Sequence, residues 1–360
     1  MLNFLNDLRK KCTFSKIEQT DLLILSQDIF LFNKKIKFAY YDNKIYLRYI
    51  LDILIYFLSQ KIQKKQISII EAHTFIKIKK TNSCIVLGHD RNNLIFDVKR
   101  YFPEIKNIAY QFGYWFPNLI NQGLELIKDK KVDFYFFFDE RTKQLTEKLM
   151  KTNSIISGSI ASNEKIFPVI KKKYDFMFIS NFRYSTETEA KNLNASQAFF
   201  LDNLSKYCNS RNKSFCIAKV YTRKDKNRYS NKNFKQENIF IEKHAKNYFV
   251  ENIDSFNLAQ KSEVCICTHS NLGFELLGRG NKVLFCNTNK DIYSWHFASV
   301  DNGPFWYRGN SKKEIFEKLE NILSLSNNSW NKILRDSKIP IKFDPGNKIL
   351  KSIIYKLKYN

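Results

Sequence analysis

Two successive series of short apolar runs, each followed by a stretch of helical spacing, constrain this chain more than any other feature. In the first series the runs are Ile67–Glu71, Cys84–Leu87 closed by Gly88, Ile108–Gln111 ending at Phe112 and Gly113, Val132–Phe138, and Ile155-Ile156 before Gly158. The Val132–Phe138 run is dominated by Phe and Tyr, as expected of a strand buried on both faces of a parallel sheet. Helical spacing fits Leu119–Lys128 and Thr142–Met150 between them. The second series runs Phe176–Ile179, Phe215–Val220, Ile239–Glu242, Val264–Thr268 and Lys282–Cys286, with helices expected at Thr188–Tyr207, Ser255–Gln260, Gly273–Arg279 and Lys312–Leu323. Such alternation implies β-α units and parallel sheets. The pattern breaks at Asn163, Pro168 and the charge run Lys171–Lys173. An α/β chain of two Rossmann-like domains follows, at 1–165 and 174–340, with a basic tail at 341–360 whose Asn347–Leu357 stretch reads as an amphipathic helix. A length of 360 residues lets each domain bury its own core.

Composition narrows the function classes. The formal net charge is +25, which fits nucleic acid, an anionic membrane surface, phosphorylated substrates or a genome-wide preference for Lys. Basic residues are spread from Lys10 to Lys358 without a dense block, so a dedicated nucleic-acid arm is not expected. The longest apolar stretch, Ile45–Leu58, contains Arg48 and Asp52 and is too short to span a bilayer. Its apolar positions Ile50, Leu51, Ile53, Leu54 and Phe57 follow helical spacing, so it reads as a packed amphipathic helix. Met1–Lys10 lacks the apolar core of a signal peptide. The seven cysteines form no CxxC pair, and Cys265 and Cys267 fall on one face of a strand. The expectation is a cytoplasmic protein with reduced cysteines and no metal site.

The segment richest in chemistry is Val264–Phe285, read as strand, tight turn, short helix, Gly280 stop and strand. Ser270 or Asn271 is suited to cap the helix. A helix N-terminus at the carboxyl end of a parallel strand favours an anion, so Thr268, His269, Ser270, Asn271, Leu272 and Gly273 are read as a phosphate-facing turn. Glu275 is the one acidic side chain on an otherwise apolar helix and can accept from ribose hydroxyls.

This segment resembles the donor-binding unit of GT-B glycosyltransferases, whose pattern runs roughly Ser-x-x-Gly-x-Glu. The chain also resembles the bacterial surface carbohydrate biosynthesis proteins, distant relatives of CDP-glycerol glycerophosphotransferases and Kdo transferases. The patches that carry the likeness, over about residues 80 to 325, are Phe136–Glu140, Gly158–Asn163, Phe178–Arg183 and Pro304–Trp306. The resemblance implies a GT-B-like fold, two Rossmann-like domains facing a central cleft, with the donor in the second. It assigns Ser270, Gly273 and Glu275 to the donor, and Arg183 and Arg223 to its phosphates. Gln111 and Gly113 match an acceptor-side loop that in the glycerophosphotransferases reads Gln-x-x-His-Gly; Phe112 stands here where that His belongs. His89 and Asp90 are the catalytic candidates, with Asp139 and Glu140 as second choice.

The leading expectation is thus a metal-independent transferase that moves a nucleotide-activated sugar, CMP-linked among the options, onto a lipid-linked glycan of a surface polysaccharide or lipopolysaccharide. No cofactor is expected beyond the nucleotide sugar. A CDP-alcohol-dependent polyol-phosphate transferase and a non-catalytic polysaccharide or nucleic-acid binder remain as alternatives. The tail lysines 348, 351, 356 and 358 offer an anionic inner membrane face a basic helix.

Overall fold

The computed structural model describes residues 12–13, 15–25, 36–42, 44–63, 68–116, 120–168, 170–220, 231–288, 295, 300–337 and 341–359. Its contacts divide the chain into two compact units. The first holds Met1–Phe112, Leu124–Glu164 and Asp344–Asn360; the second holds Gly113–Gly123 and Lys165–Phe343.

In chain order the elements that precede the second unit's first strand are β1 (Cys12–Thr13), β2 (Leu22–Ile24), β3 (Phe38–Tyr40), β4 (Ile45–Tyr46), α1 (Ile50–Ile62), α2 (Ile69–Thr81), β5 (Ile85–His89), α3 (Leu94–Tyr101), β6 (Lys106–Tyr110), α4 (Ile120–Ile127), β7 (Phe134–Phe137), α5 (Glu140–Glu147), β8 (Asn153–Ile156) and α6 (Ile160–Asn163). Six strands form one parallel sheet in the order β3-β2-β5-β6-β7-β8. Strand β5 is buried over Ile85–Leu87, as its run of Ile, Val and Leu dictates.

Strands β2 and β3 escaped the sequence reading because three residues each show no periodicity. One expected strand is a helix: within the run expected at 67–71, Ser68 caps α2 and Ile69–Glu71 form its first turn. The physical reason is Ser68, whose hydroxyl accepts from Glu71 N–H while the Glu71 carboxylate accepts from Ser68 N–H, a reciprocal cap that fixes helical geometry.

The second unit continues with β9 (Tyr174–Ile179), α7 (Thr188–Arg211), β10 (Phe215–Ala218), α8 (Asn231–His244), α9 (Ser255–Gln260), β11 (Ser262–Cys267), α10 (Asn271–Gly278), β12 (Lys282–Asn287), β13 (Trp306–Arg308), α11 (Lys312–Ser324) and α12 (Asn327–Asp336). Its five strands are parallel in the order β10-β9-β11-β12-β13. The strand expected at Ile239–Glu242 lies inside α8, where Ile241 is buried and Ile239 exposed, a helical rather than a sheet pattern. Trp295, Phe305, Trp306 and Tyr307 are buried in the core.

The tail forms α13 (Lys348–Tyr359) and belongs to the first unit. Its Leu350 and Ile354 pack among Ile85, Leu87 and Ile108. Lys351 pairs with Glu164 at 2.8 Å and Lys358 with Asp21 at 2.7 Å. Asn347, at φ +51°, donates to the Ile160 carbonyl and accepts from Asn163. The helix read as a membrane-facing candidate therefore turns its apolar stripe inward and pairs two of its lysines. No helix among the described residues is long and apolar enough to cross a membrane.

Candidate functional site

The turn after β11 is held from several sides. Trp295 Nε1 donates to the Thr268 carbonyl at 2.9 Å. Ser270 caps α10, its hydroxyl accepting from Leu272 N–H at 3.3 Å, while Gly273 N–H donates to the Ser270 carbonyl at 3.0 Å. With its amide turned to satisfy both ends, Asn181 accepts from Ser270 N–H at 3.1 Å. These are three of the amides expected to face phosphate, and each already has a protein acceptor; an anion binding here must displace the Ser270 hydroxyl or Asn181. Gly273 has a packing reason: a Cβ there would overlap Cys267 Sγ, so only glycine lets α10 approach the strand this closely.

Asn271 has its side-chain oxygen engaged within the second unit. Its Oδ1 accepts from Tyr114 N–H at 3.1 Å, and the Tyr114 ring stacks on Phe274 at 3.7 Å between centroids. A Cβ on Gly113 would press against the Asn271 amide. Gly113, read with Gln111 as an acceptor-side loop, falls in the second unit and lies against Asn271.

His269 is buried, with the Phe116 ring edge-on at 5.8 Å and Thr268 Oγ1 at 3.2 Å from Nδ1. Burial, with the nearby charge of Arg183, pushes its pKa down to about 3. It is a neutral imidazole at working pH and supplies no charge to a phosphate. Arg183 follows β9, its guanidinium 3.4 Å from Glu189 and half exposed. Arg223 lies outside the described residues.

Beside this turn opens a cavity of about 460 Å³, lined by Lys219, Val220, Asn252, Ile253, Leu272 and Glu275 among others. The size lies within the usual range of ligand pockets. A neighbouring cavity of about 240 Å³ shares Lys219, Asn252 and Ile253 with it and extends along β10. The walls are fixed by carboxylates, of which Glu237 is buried. Glu237 on α8 accepts from Ser180 Oγ at 2.6 Å and from Val220 N–H at 2.9 Å, so one group ties down the ends of β9 and β10. Glu251 receives Lys173 at 2.7 Å, Lys261 and the Tyr174 hydroxyl, which hold its carboxyl down at about 2. Asp254 caps α9 through Phe256 N–H at 3.0 Å. Sequence reasoning reached Leu272 and Glu275 but missed Lys219, Val220, Asn252 and Ile253. No motif marks them, because loops from separate β-α units bring them together. Glu237 carries no motif either; it stands on α8 two residues before the stretch expected as a strand.

The first unit's candidates are more committed. Asp90 is buried; its carboxylate accepts from Phe112 N–H at 3.1 Å and from the Tyr135 hydroxyl at 2.9 Å. Burial pushes its pKa up to about 6. Gln111 is buried too, and its Oε1 accepts from Phe138 N–H at 3.0 Å. Asp139 caps α5 through Thr142 N–H at 2.8 Å. These groups hold strand ends and loops. His89 is half-buried, its ring 4.8 Å from that of Phe112, and Glu140 at the start of α5 keeps its side chain partly exposed. Among the described residues no cluster of His, Cys, Asp and Glu has a metal-binding arrangement.

The family described as "putative O-antigen biosynthesis protein" matches residues 119–358. No curated protein matches the chain. Among solved structures, UDP-GlcNAc 2-epimerase from Neisseria meningitidis bound to UDP-GlcNAc superposes with a TM-score of 0.51 at 13% identity, covering 94% of this chain and 99% of that one. Methanocaldococcus jannaschii UDP-GlcNAc 2-epimerase gives 0.46 at 14% identity over 79% and 80% of the two chains. A trehalose-6-phosphate synthase gives 0.48 at 11% identity over 94% and 91%. The first of these shows a shared GT-B-type fold of paired Rossmann-like domains.

Proposed function

We propose, for a chain that belongs to the O-antigen biosynthesis protein family by its match over residues 119–358, that it transfers sugar from a nucleotide sugar to a surface polysaccharide precursor. The observation that carries the reading is the cavity at the carboxyl edge of the second sheet, with Glu275 on its wall and the capped turn of Ser270 beside it. Ligands of open parallel sheets sit beyond the strand ends. Leu272 and Ile253 offer apolar walls to a base, and Glu275 is an acceptor for ribose hydroxyls. Lys165 and Lys219 on the cavity wall, with Arg183 near His269, are cationic groups that can take charge from a departing phosphate, which in this reading needs no metal. The finer reading has a CMP-linked donor and a lipid-linked glycan acceptor, with His89 as the group that takes the acceptor's proton and Asp90 as a residue that positions the loop at Phe112.

The test is a thermal-shift screen with CMP, CDP, UDP, GDP and their sugars, followed by nucleotide release in the presence of polysaccharide precursors. Stabilisation by one nucleotide and its sugar, with release that depends on acceptor, is the expected result. Epimerised sugar nucleotide without acceptor, or release of CMP from a CDP-alcohol, would replace the proposal with another reaction. No stabilisation by any nucleotide would remove it.

A further inference from the structure

Helix α1 has its amphipathicity reversed. Its sequence reads as a packed helix, yet Leu51 is 70% exposed, Ile55 66%, Leu58 57% and Ile62 82%, with Ile50 and Leu54 exposed beside them. Positions 51, 54, 55, 58 and 62 recur at three- and four-residue spacing, so they form one stripe along a helix about 20 Å long. The opposite face is already used: Ile53 is buried with Phe75 and Ile76, and Tyr56 and Phe57 pack against the same small core. Ile69 and Ile70 at the start of α2 are exposed as well. Single exposed aliphatics need no explanation, but a contiguous set of this size marks an interaction surface on a folded monomer.

The charges around the stripe say what covers it. Lys44, Arg48, Lys61 and Lys79 are exposed on or beside α1 and α2. The acids there are tied: Asp52 pairs with Lys80 at 2.7 Å, and Glu71 caps α2. An aliphatic stripe with a cationic border is the pattern of a helix that lies in the headgroup boundary of an anionic bilayer. A second copy of this chain would bring the same border and a net charge of +25 against +25. We infer that α1, with the first turn of α2, docks the first unit on an anionic membrane surface. The tail helix does not, because its apolar side faces the core. This inference stands on the first unit's surface and is independent of the donor site.

The experiment uses the full chain with vesicles of phosphatidylglycerol and phosphatidylcholine in equal parts, and with vesicles of phosphatidylcholine alone. The wild type should co-sediment with the anionic vesicles and weakly with the neutral ones, and salt should release it. The triple variant Leu51→Gln, Ile55→Gln, Leu58→Gln removes three exposed side chains and should lower partitioning by roughly a hundredfold at unchanged thermal stability. Arg48→Gln with Lys61→Gln should lower it about tenfold, on the anionic vesicles only. Ile239→Gln, an exposed aliphatic of the second unit, serves as the control and should bind as the wild type does. A wild type that stays in the supernatant, or a triple variant that sediments as the wild type does, overturns the inference. So does a concentration-dependent dimer, seen by light scattering without lipid, that the triple variant abolishes, since the stripe would then be a self-association face.

Discussion

The turn after β5 and the turn after β11 each place a histidine at the carboxyl edge of a parallel sheet with a polar or acidic neighbour, and they use these groups in different ways. After β5 the carboxylate of Asp90 points into the protein and holds Phe112 N–H and the Tyr135 hydroxyl. After β11 the histidine is the buried group, and Glu275, one helical turn on, reaches a cavity wall. The lesson is that a polar residue at a strand end becomes a supporting group where neighbouring loops bring buried donors to it, as they do to Asp90. A buried backbone N–H must be paired, and the nearest carboxylate is recruited for it before any substrate arrives.

The comparison can be broken by substitution. The largest effect is expected from Asp90→Ala, which leaves two buried donors without their acceptor. At about 1–3 kcal/mol for each unsatisfied group, the cost is about 4 kcal/mol. Chemical denaturation measures it, and a loss under about 1 kcal/mol would mean that the carboxylate is not a support but is free for chemistry. Next comes Gly273→Ala, where the new methyl meets Cys267 Sγ and pushes α10 off its strand. Overpacking of this kind costs about 1–3 kcal/mol. Cys267→Ala in the same chain should restore much of the lost melting temperature; no recovery would place the strain elsewhere.

Glu275→Gln acts on binding. Loss of a charged hydrogen bond should weaken the nucleotide found in the screen by roughly one to two decades, while the melting temperature of the free protein stays put. Calorimetric titration of both proteins decides it. Equal affinities would put Glu275 in the same class as Asp90, and the contrast between the two turns would vanish.

The last effect is a slope against pH. His269 is held neutral down to about 3, whereas in the unfolded chain it takes a proton near its ordinary value of 6.5. Its folded value is depressed, so its contribution is fully present above 6.5 and is lost as pH falls toward 3, at about 1.4 kcal/mol per pH unit. Asp90 acts in the opposite sense: its carboxyl is raised to about 6 from an ordinary 3.8, so its contribution is present below 3.8 and is lost as pH rises through 6. The difference between wild type and His269→Gln isolates the histidine. Denaturation midpoints at several pH values between 4 and 6.5 should converge as the pH falls, by the window set from 3 to 6.5. Parallel curves would show that the ring is solvated.

What the sequence by itself determined is most of the strands of both parallel sheets and the strand, capped turn and helix of one segment. Runs such as Cys84–Leu87 and Val264–Thr268 carry their own burial in their composition, and a strand followed by a capped helix is a local construction. The tertiary structure alone decided where polar side chains go. Asp90 and Gln111 look like reactive groups on a loop until β6 and β7 bring Tyr135 and Phe138 to them. Gly113 sits beside Gln111 in sequence, yet packs with Asn271, more than 150 positions away. The same holds for α1 and α13, two amphipathic helices of similar pattern. One has its stripe covered by the sheet core and the other has not, and only the contacts of each helix distinguish them. Periodicity fixes which residues share a face; the partner of that face is set by long-range packing, which no local window of sequence contains.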